Sequence, residues 1–278
     1  MTDTGERFEK LVAVMRTLRS PDGCPWDREQ TLGSLTHFVL EEAHEVVDAI
    51  ERDDMGALRE EIGDHIFEGV FLAQLAAEGG LFTIDDSLRT VVEKLLRRHP
   101  HVFQENGRVH NAESKERAPS AAAALDRWNA LKAQERAESG QRHTTLGSVP
   151  KTLPSLLRAY KIGKRVAAVG FEWATTKDVV AKIEEEVAEL RDTLENEPGN
   201  AARAEEEMGD LFFAMANLSR RLKIDPEAAL RKANDKFTKR FNQLEENFHA
   251  SGRTLDGATL EDMDAEWEKI KATESSTR

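Results

Sequence analysis

The stretch LEEAHEVVDAI, from Leu40 to Ile50, and the stretch EEIGDHIF, from Glu60 to Phe67, decide the architecture of this chain. Each places acidic residues at positions i, i+1 and i+4 among apolar ones, a spacing typical of an α-helix. These positions lie at roughly 0°, 100° and 40° around a helix axis, so the carboxylates project from one side. Two such helices packed antiparallel would bring about five or six carboxylates face to face.

The second half of the chain repeats this pattern. EEEVAELRDTL, which starts at Glu184, matches LEEAHEVVDAI at an offset of 144, and EEMGDLFF, which starts at Glu206, matches EEIGDHIF at an offset of 146. The offset is constant inside each predicted helix and changes only between helices, so the insertions lie in loops. We therefore expect a tandem repeat of two helical-bundle domains. Their predicted bounds are 1–138 and 155–278, with a linker rich in Gly, Thr and Pro at 139–154.

Composition favours an all-α fold. The chain of 278 residues is rich in Ala, Leu, Glu and Arg and contains one Tyr, which suits helices better than strands. A turn-rich segment, SPDGCPWD, separates the first two predicted helices, and Asp85 or Asp86 is the predicted N-cap of the fourth. The helices predicted in the first half span about 6–19, 35–52, 57–77, 85–99 and 121–137.

Charge and composition also exclude classes of function. The chain has 39 Lys and Arg against 52 Asp and Glu, a formal charge of −13, which argues against binding to a nucleic-acid polymer. No apolar run approaches the ~18 residues of a membrane span, and the N-terminus does not resemble a signal peptide. The single cysteine, Cys24, forbids an internal disulfide framework. We expect a soluble, cytoplasmic protein without membrane contact.

Clustered carboxylates repel one another unless cations neutralise them. A ligand set made only of oxygen suits Mg²⁺, with Mn²⁺ as a substitute.

A di-iron carboxylate bundle is the alternative, because Glu41-x-x-His44 has the spacing used there. The second copy has Ala188 in place of His44, and Leu211 in place of His65, so the required second Glu-x-x-His is missing. An acidic helix face alone is most often only solvated, and it is the recurrence of both motifs that favours a metal site.

Two further motifs recur in both halves, Lys-x-x-x-Arg and Trp-x-x-x-Lys. One helical turn separates the two cations of the first motif, which suits a phosphate chain. The Trp ring offers a stacking surface for a base, although an edge-of-core role is equally consistent with the sequence. Together with bound metal, these groups describe a nucleoside polyphosphate site. Its candidate contacts are Lys94, Arg98, Trp128 and Lys132 in the first copy and Lys236, Arg240, Trp267 and Lys271 in the second.

With these motifs assembled, the chain resembles the MazG family of nucleoside triphosphate pyrophosphohydrolases, and specifically its two-domain bacterial members. The matching signatures are GCPWDREQT, LEEAHEVVDAI, LREEIGDHIF and KLLRRHPHVF in the first half, and KIGKRVAAVGFEW, EEEVAEL, EEEMGDLFF and KANDKFTKRF in the second. The resemblance covers nearly the whole chain. It implies an all-α NTP pyrophosphatase fold, a homodimer, and Mg²⁺-dependent cleavage of a nucleoside triphosphate to the monophosphate and pyrophosphate.

The resemblance also assigns roles to residues. The cationic and Trp-containing motifs map to nucleotide contacts, and Glu206, with its counterpart Glu60, would assist as ligand or base. The first copy departs from the usual apolar or neutral residues at His65 and Glu68. The metal ligands implied are Glu41, Glu42, Glu45, Glu61 and Asp64 in the first copy, and Glu185, Glu186, Glu189, Glu207 and Asp210 in the second.

The implied chemistry needs no protein nucleophile. Metal-activated water would attack the α-phosphorus while pyrophosphate leaves. Glu42 and Glu186 are the candidate proton acceptors. No Asn or Gln pair is evident that would read a base edge, so we expect broad use of NTPs and dNTPs. The alternative is a regulatory nucleotide-binding or helical dimerisation protein in which one or both copies are inactive.

Overall fold

The computed structural model describes residues 3–104, 106–111, 118, 120–138 and 144–276. The chain divides into two compact units, Met1–Gly140 and Gln141–Arg278. Within the described residues the only β-structure is an isolated bridge between Phe103 and Val109. The prediction of an all-α fold is therefore confirmed.

The first unit is built around a pair of packed helices, α3 and α4, that carry the acidic motifs. A short turn joins them, and Asp54 caps α4 by accepting hydrogen bonds from the backbone N–H groups of Gly56 and Ala57. Helices α1 and α5 pack against α4, and α6 packs against α5. The helices are α1 Asp3–Leu18, α2 Pro25–Glu29, α3 Thr36–Glu51, α4 Met55–Glu78, α5 Ile84–Arg98 and α6 Ala121–Glu138.

The core of the first unit lies between α1, α4 and the start of α3. Met15, Leu35, Val70 and Phe71 are buried there, and side chains such as Phe38 pack around them. Burial of side chains of this size contributes about 1.5–3 kcal/mol each, which fixes the rotation of α4 about its axis. The opposite side of α4 is thereby left to carry its acidic residues.

Two expectations about helix bounds are corrected in this unit. The N-cap of α5 is Thr83, and Asp86 is the third residue of a capping box in which its carboxylate accepts from the Thr83 backbone N–H. The prediction of Asp85 or Asp86 as N-cap is wrong because Thr83 and Asp86 form a reciprocal pair. The Thr83 hydroxyl accepts from the Asp86 backbone N–H while the Asp86 carboxylate accepts from that of Thr83, so two backbone N–H groups are satisfied. The segment assigned to a turn also holds the short helix α2, which starts at Pro25, a residue favoured at a first helical position.

The second unit repeats this arrangement, with α8 and α9 in the places of α3 and α4. Helix α7 packs on α9, where Gly163 lies against the buried side chain of Asn217. The last two long helices bury Leu244, Phe248 and Ile270 between them. The helices are α7 Ser155–Ala167, α8 Thr176–Asn196, α9 Ala201–Arg221, α10 Pro226–Ala250 and α11 Leu260–Ser276, with a 3₁₀ turn at Leu255–Gly257.

The predicted linker falls partly outside the described residues, since 139–143 are not among them. Residues 144–153 form turns and bends, and α7 begins at Ser155 after Pro154. None of the helices that the structure describes has both the length and the apolar character needed to cross a membrane.

Candidate metal and nucleotide site

In the first unit the acidic motifs of α3 and α4 meet. Ligand oxygens of Glu42, Glu45 and Glu61 all lie within 4.8 Å of one another. Burial raises the pKa of Glu42, and the charges of Glu45 and Asp64 raise it further. Oxygen Oε2 of Glu42 is buried without a hydrogen-bond partner. This group of carboxylates is therefore one that a bound cation would stabilise.

In the second unit the corresponding group is formed by Glu186 on α8 with Glu207 and Asp210 on α9, again with ligand oxygens within 4.8 Å. Glu186 is only 3% exposed, and its Oε2 has no hydrogen-bond partner. Burial, together with the charges of Glu207 and Glu186, raises the pKa of Glu189, so this carboxylate also lies close to the group.

The structure brings together part of the predicted ligand set in each unit. Glu186 is the repeat equivalent of Glu42, and Glu207 is the repeat equivalent of Glu61. Each group therefore contains the same glutamate position from the first helix of its pair and the same one from the second. Asp64 and Glu189 lie near the groups. The remaining predicted acids, Glu41, Glu60, Glu185 and Glu206, are exposed and belong to neither group.

The donor chemistry of both groups fits a hard divalent cation. All six grouped side chains offer carboxylate oxygen, and each group contains a buried oxygen without a hydrogen-bond partner. Such an oxygen costs about 1–3 kcal/mol or more unless it finds a partner, which a metal ion would be. Mg²⁺ and Mn²⁺ suit this ligand type.

The predicted nucleotide contacts of the first unit also lie together. The guanidinium of Arg98 on α5 lies over the ring of Trp128 on α6, 5.5 Å from its centroid, and Lys132 Nζ lies 4.8 Å from the same centroid. Lys94 lies one helical turn before Arg98 on α5 and lines a groove with Phe82. The ring of Trp128 is thus covered by cations that could contact phosphate.

The second unit has the same cluster on α10 and α11. Arg240 lies 6.0 Å from the centroid of Trp267, whose ring also packs against Phe237 and the buried cluster around Leu244. Trp267 is therefore an edge-of-core residue that still faces a cation. Lys271 Nζ contacts Glu268 Oε1 at 2.7 Å, and Lys236 is exposed on α10.

Sequence reasoning missed a glutamate in each cluster. Arg98 Nε donates to Glu135 Oε2 at 3.0 Å, and Arg240 Nε donates to Glu274 Oε2 at 3.0 Å. Arg98 and Arg97 together lower the pKa of Glu135 to about 2. The two glutamates are separated by 139 residues, the same offset as Trp128 and Trp267, so extending the repeat comparison by one helical turn would have found them.

Comparison with known proteins identifies the family of the chain. The family model described as the MazG nucleotide pyrophosphohydrolase domain matches twice, at residues 30–103 and 174–244. A protein of Escherichia coli K12 named nucleoside triphosphate pyrophosphohydrolase is 42% identical over 269 residues, covering 96% of this chain and 98% of the relative.

Two further relatives match over nearly the whole chain. A Thermotoga maritima protein named nucleoside triphosphate pyrophosphohydrolase/pyrophosphatase MazG is 41% identical, with 98% of each chain covered. The uncharacterised protein YabN of Bacillus subtilis is 38% identical over 96% of this chain but only 52% of its own length. With the family model matched in both units and near full-length relatives, the chain belongs to the MazG nucleotide pyrophosphohydrolase family.

Proposed function

We propose that this chain is a Mg²⁺-dependent hydrolase that converts nucleoside triphosphates to nucleoside monophosphates and pyrophosphate. The observation that carries the proposal is the carboxylate group formed by paired helices in each unit, with a buried, unpartnered oxygen on Glu42 in the first and on Glu186 in the second. The names of the relatives from Escherichia coli and Thermotoga maritima support the activity.

The metal would be held by Glu42, Glu45 and Glu61 in the first unit, and by Glu186 with its two partners on α9 in the second. Bound Mg²⁺ supplies neutralisation of the triphosphate charge and makes water more acidic. In the proposed reaction, water attacks the α-phosphorus, a carboxylate accepts its proton, and pyrophosphate leaves. Glu42 and Glu186 are the proposed acceptors.

The cationic clusters are proposed to bind the nucleotide. Arg98 and Arg240 each lie over a Trp ring, so one side chain can contact phosphate while the ring edge or face stacks on a base. Each Arg also pairs with a glutamate, and substrate phosphate would compete with that carboxylate. Stacking does not depend on base identity, which supports broad use of NTPs and dNTPs.

A homodimer is part of the proposal. The paired acidic helices leave large apolar side chains exposed on their surfaces, including Ile62 and Ile66 in the first unit and Phe212 and Met215 in the second. Exposed apolar surface of this kind is typical of protein contact sites. Light scattering coupled to size exclusion is expected to give twice the mass of the chain, and a monomer at micromolar concentration would contradict this part of the proposal.

Product analysis tests the activity. The full chain is incubated with ATP and Mg²⁺, and the products are separated by anion exchange. AMP with pyrophosphate is expected. ADP with phosphate would indicate cleavage at the γ-phosphorus, and no turnover would favour a regulatory nucleotide-binding or dimerisation role.

A further inference from the structure

A small cavity of the first unit lies between α1, α4 and the start of α5. Its volume is about 130 Å³, and none of the residues of the carboxylate group or of the Trp128 cluster lines it. A ligand in this cavity would therefore not occupy the proposed metal or nucleotide site. The lining residues are Val12 and Arg16 on α1, Val70, Ala73, Gln74 and Ala77 on α4, and Thr83, Ile84 and Asp85 around the start of α5.

The inner part of the cavity is apolar. Val70 and Ala73 are buried on α4, and the branched side chains of Val12 and Ile84 pack against the same core. An engineered apolar cavity of about 150 Å³ in another protein takes up benzene, so a cavity slightly smaller than that accommodates an isopropyl or isobutyl group. The inner part therefore fits a small branched apolar group.

The mouth of the cavity carries one charge of each sign. It is formed by the exposed lining residues Arg16, Ala77, Thr83 and Asp85. Neither the side chain of Arg16 nor that of Asp85 forms a hydrogen bond or ion pair with another described residue. A simple anion would be attracted to Arg16 and repelled by Asp85, and a simple cation the reverse. The mouth therefore fits a ligand that carries both charges.

Other charged side chains near the mouth are already paired. The carboxylate of Asp86 accepts from the backbone N–H and hydroxyl of Thr83 and pairs with Arg89. The carboxylate of Glu78, one turn after Gln74 on α4, pairs with Arg19. Arg16 and Asp85 are thus the two charges at the mouth that are left for a ligand.

The corresponding positions of the second unit are partnered within that unit. The repeat equivalent of Asp85 is Glu227, at an offset of 142, and its Oε1 accepts hydrogen bonds from two backbone N–H groups at the start of α7. The repeat equivalent of Gln74 is Arg220, a longer side chain that pairs with Glu172. An acid without a partner at this position therefore belongs to the first unit alone.

We propose that this cavity binds a free α-amino acid with a small branched apolar side chain, of which L-valine is the simplest example. The apolar side chain enters the inner part of the cavity. The ligand carboxylate binds the guanidinium of Arg16, and the ligand ammonium binds the carboxylate of Asp85. An α-amino acid carries both charges and its side chain on one carbon, which matches two opposite charges at the mouth of a single apolar cavity.

Methyl NMR spectra of the full chain test the site directly. L-valine, titrated into protein labelled at its Ile, Leu and Val methyl groups, is expected to shift the resonances of Val12, Val70 and Ile84 and to leave that of Val179 in the second unit unchanged. Isobutylamine lacks the carboxylate and isovalerate lacks the ammonium, so each should bind about tenfold more weakly or worse. Equal binding of all three compounds, or no shifts with millimolar L-valine, would overturn the proposal.

Two variants remove the charges at the mouth without changing the core. Arg16→Gln and Asp85→Asn are each expected to weaken L-valine binding about tenfold, because each removes one charged hydrogen-bond partner of the ligand. Arg7→Gln is the matched control, since Arg7 is exposed on the same helix as Arg16 and does not line the cavity. Parent-like affinity in both charge variants would contradict the assigned contacts.

A third variant blocks the cavity. Ala77 is exposed on α4 and lines the mouth, so the larger side chain of Ala77→Leu is expected to cover the opening and abolish the shifts caused by L-valine. Ala13→Leu, at an exposed position of α1 outside the cavity, is the control expected to bind like the parent. Undiminished shifts in Ala77→Leu would contradict the site. None of these measurements uses nucleotide, metal or hydrolysis, so their failure is distinguishable from failure of the proposed activity.

Discussion

Replacement of Glu186 by Gln is the most direct test of which unit performs the reaction. The change keeps the shape of the side chain and removes its charge at a position that is only 3% exposed. It also removes one of the two carboxylate partners of Lys182, whose Nζ lies 2.8 Å from Glu186 Oε1 and 2.9 Å from Glu185 Oε1. We expect the variant to lose most of the hydrolysis of ATP, because the first unit has the additional buried carboxylate of Glu68 where the second has Ala214, and this extra charge would hold metal less productively.

The size of the loss follows from electrostatics. At an effective dielectric constant of about 20, two unit charges about 4 Å apart interact by about 4 kcal/mol, and a divalent ion doubles that value. The amide oxygen of Gln still serves as a neutral ligand and water fills part of the gap, so only a fraction of this energy is lost. Even a third of it lowers kcat/KM by about a hundredfold, equivalent to 2.7 kcal/mol.

Initial rates of AMP formation in saturating Mg²⁺ measure the effect, and circular dichroism checks that the variant remains helical. Glu42→Gln is the matched control, because Glu42 is the repeat equivalent of Glu186. It is expected to leave most of the activity. A larger loss from Glu42→Gln would reverse the assignment, and equal partial losses would mean two working sites.

Four further outcomes are expected. EDTA should abolish hydrolysis and Mg²⁺ should restore it, since empty carboxylate groups neither hold triphosphate nor activate water; full activity in excess chelator would refute the mechanism. The kcat/KM values for the common NTPs and dNTPs should agree within about a hundredfold, and a larger preference would reveal a base-specific pocket. The pKa of Glu135 is lowered from 4.5 to about 2 by Arg98 and Arg97, so its ion pair stabilises the fold above about pH 4.5 and loses that contribution as pH falls toward 2. The stability difference between wild type and Glu135→Gln in urea unfolding should accordingly shrink on acidification, and a constant difference would rule out the ion pair as its source. Gly163→Ala should lower the melting temperature, since the new Cβ would lie 2.3 Å from Asn217 Oδ1, at a cost of about 1–3 kcal/mol; Gly209→Ala, which meets nothing within 4 Å, is the control expected to gain up to about 1 kcal/mol.

The helices and their repetition could be predicted from the sequence because both depend on local spacing. Acidic residues at i, i+1 and i+4 mark a helix whatever it packs against, and a constant offset marks an intact element. The position of Thr83 as N-cap was missed because two acidic residues follow it, and only the hydrogen bonds distinguish a cap from the third residue of a capping box.

The composition of the carboxylate groups could not be predicted, because it depends on how two helices rotate against each other. Asp210 joins its group, whereas its repeat equivalent Asp64 lies beside the other, although the sequence motifs are alike. The contact of Arg98 with Glu135 joins residues far apart in the sequence, and only its recurrence as Arg240 with Glu274 could have indicated it. Lys182, which pairs with Glu186, was visible in the sequence, but a comparison of residues shared by the two copies overlooks what only one copy possesses.

The Arg–Glu ion pair between each Trp-bearing helix and the helix before it bears on how the two halves of the chain evolved. It occurs with the same partners in both halves, Arg98 with Glu135 and Arg240 with Glu274. A contact inherited by both halves was present in the single-domain ancestor before its gene was duplicated. Lys182 has no such counterpart, since Phe38 stands at the equivalent position, so this difference between the halves arose after duplication. The Arg–Glu pair beside each Trp is thus the older feature of this molecule, and the lysine beside Glu186 is the younger.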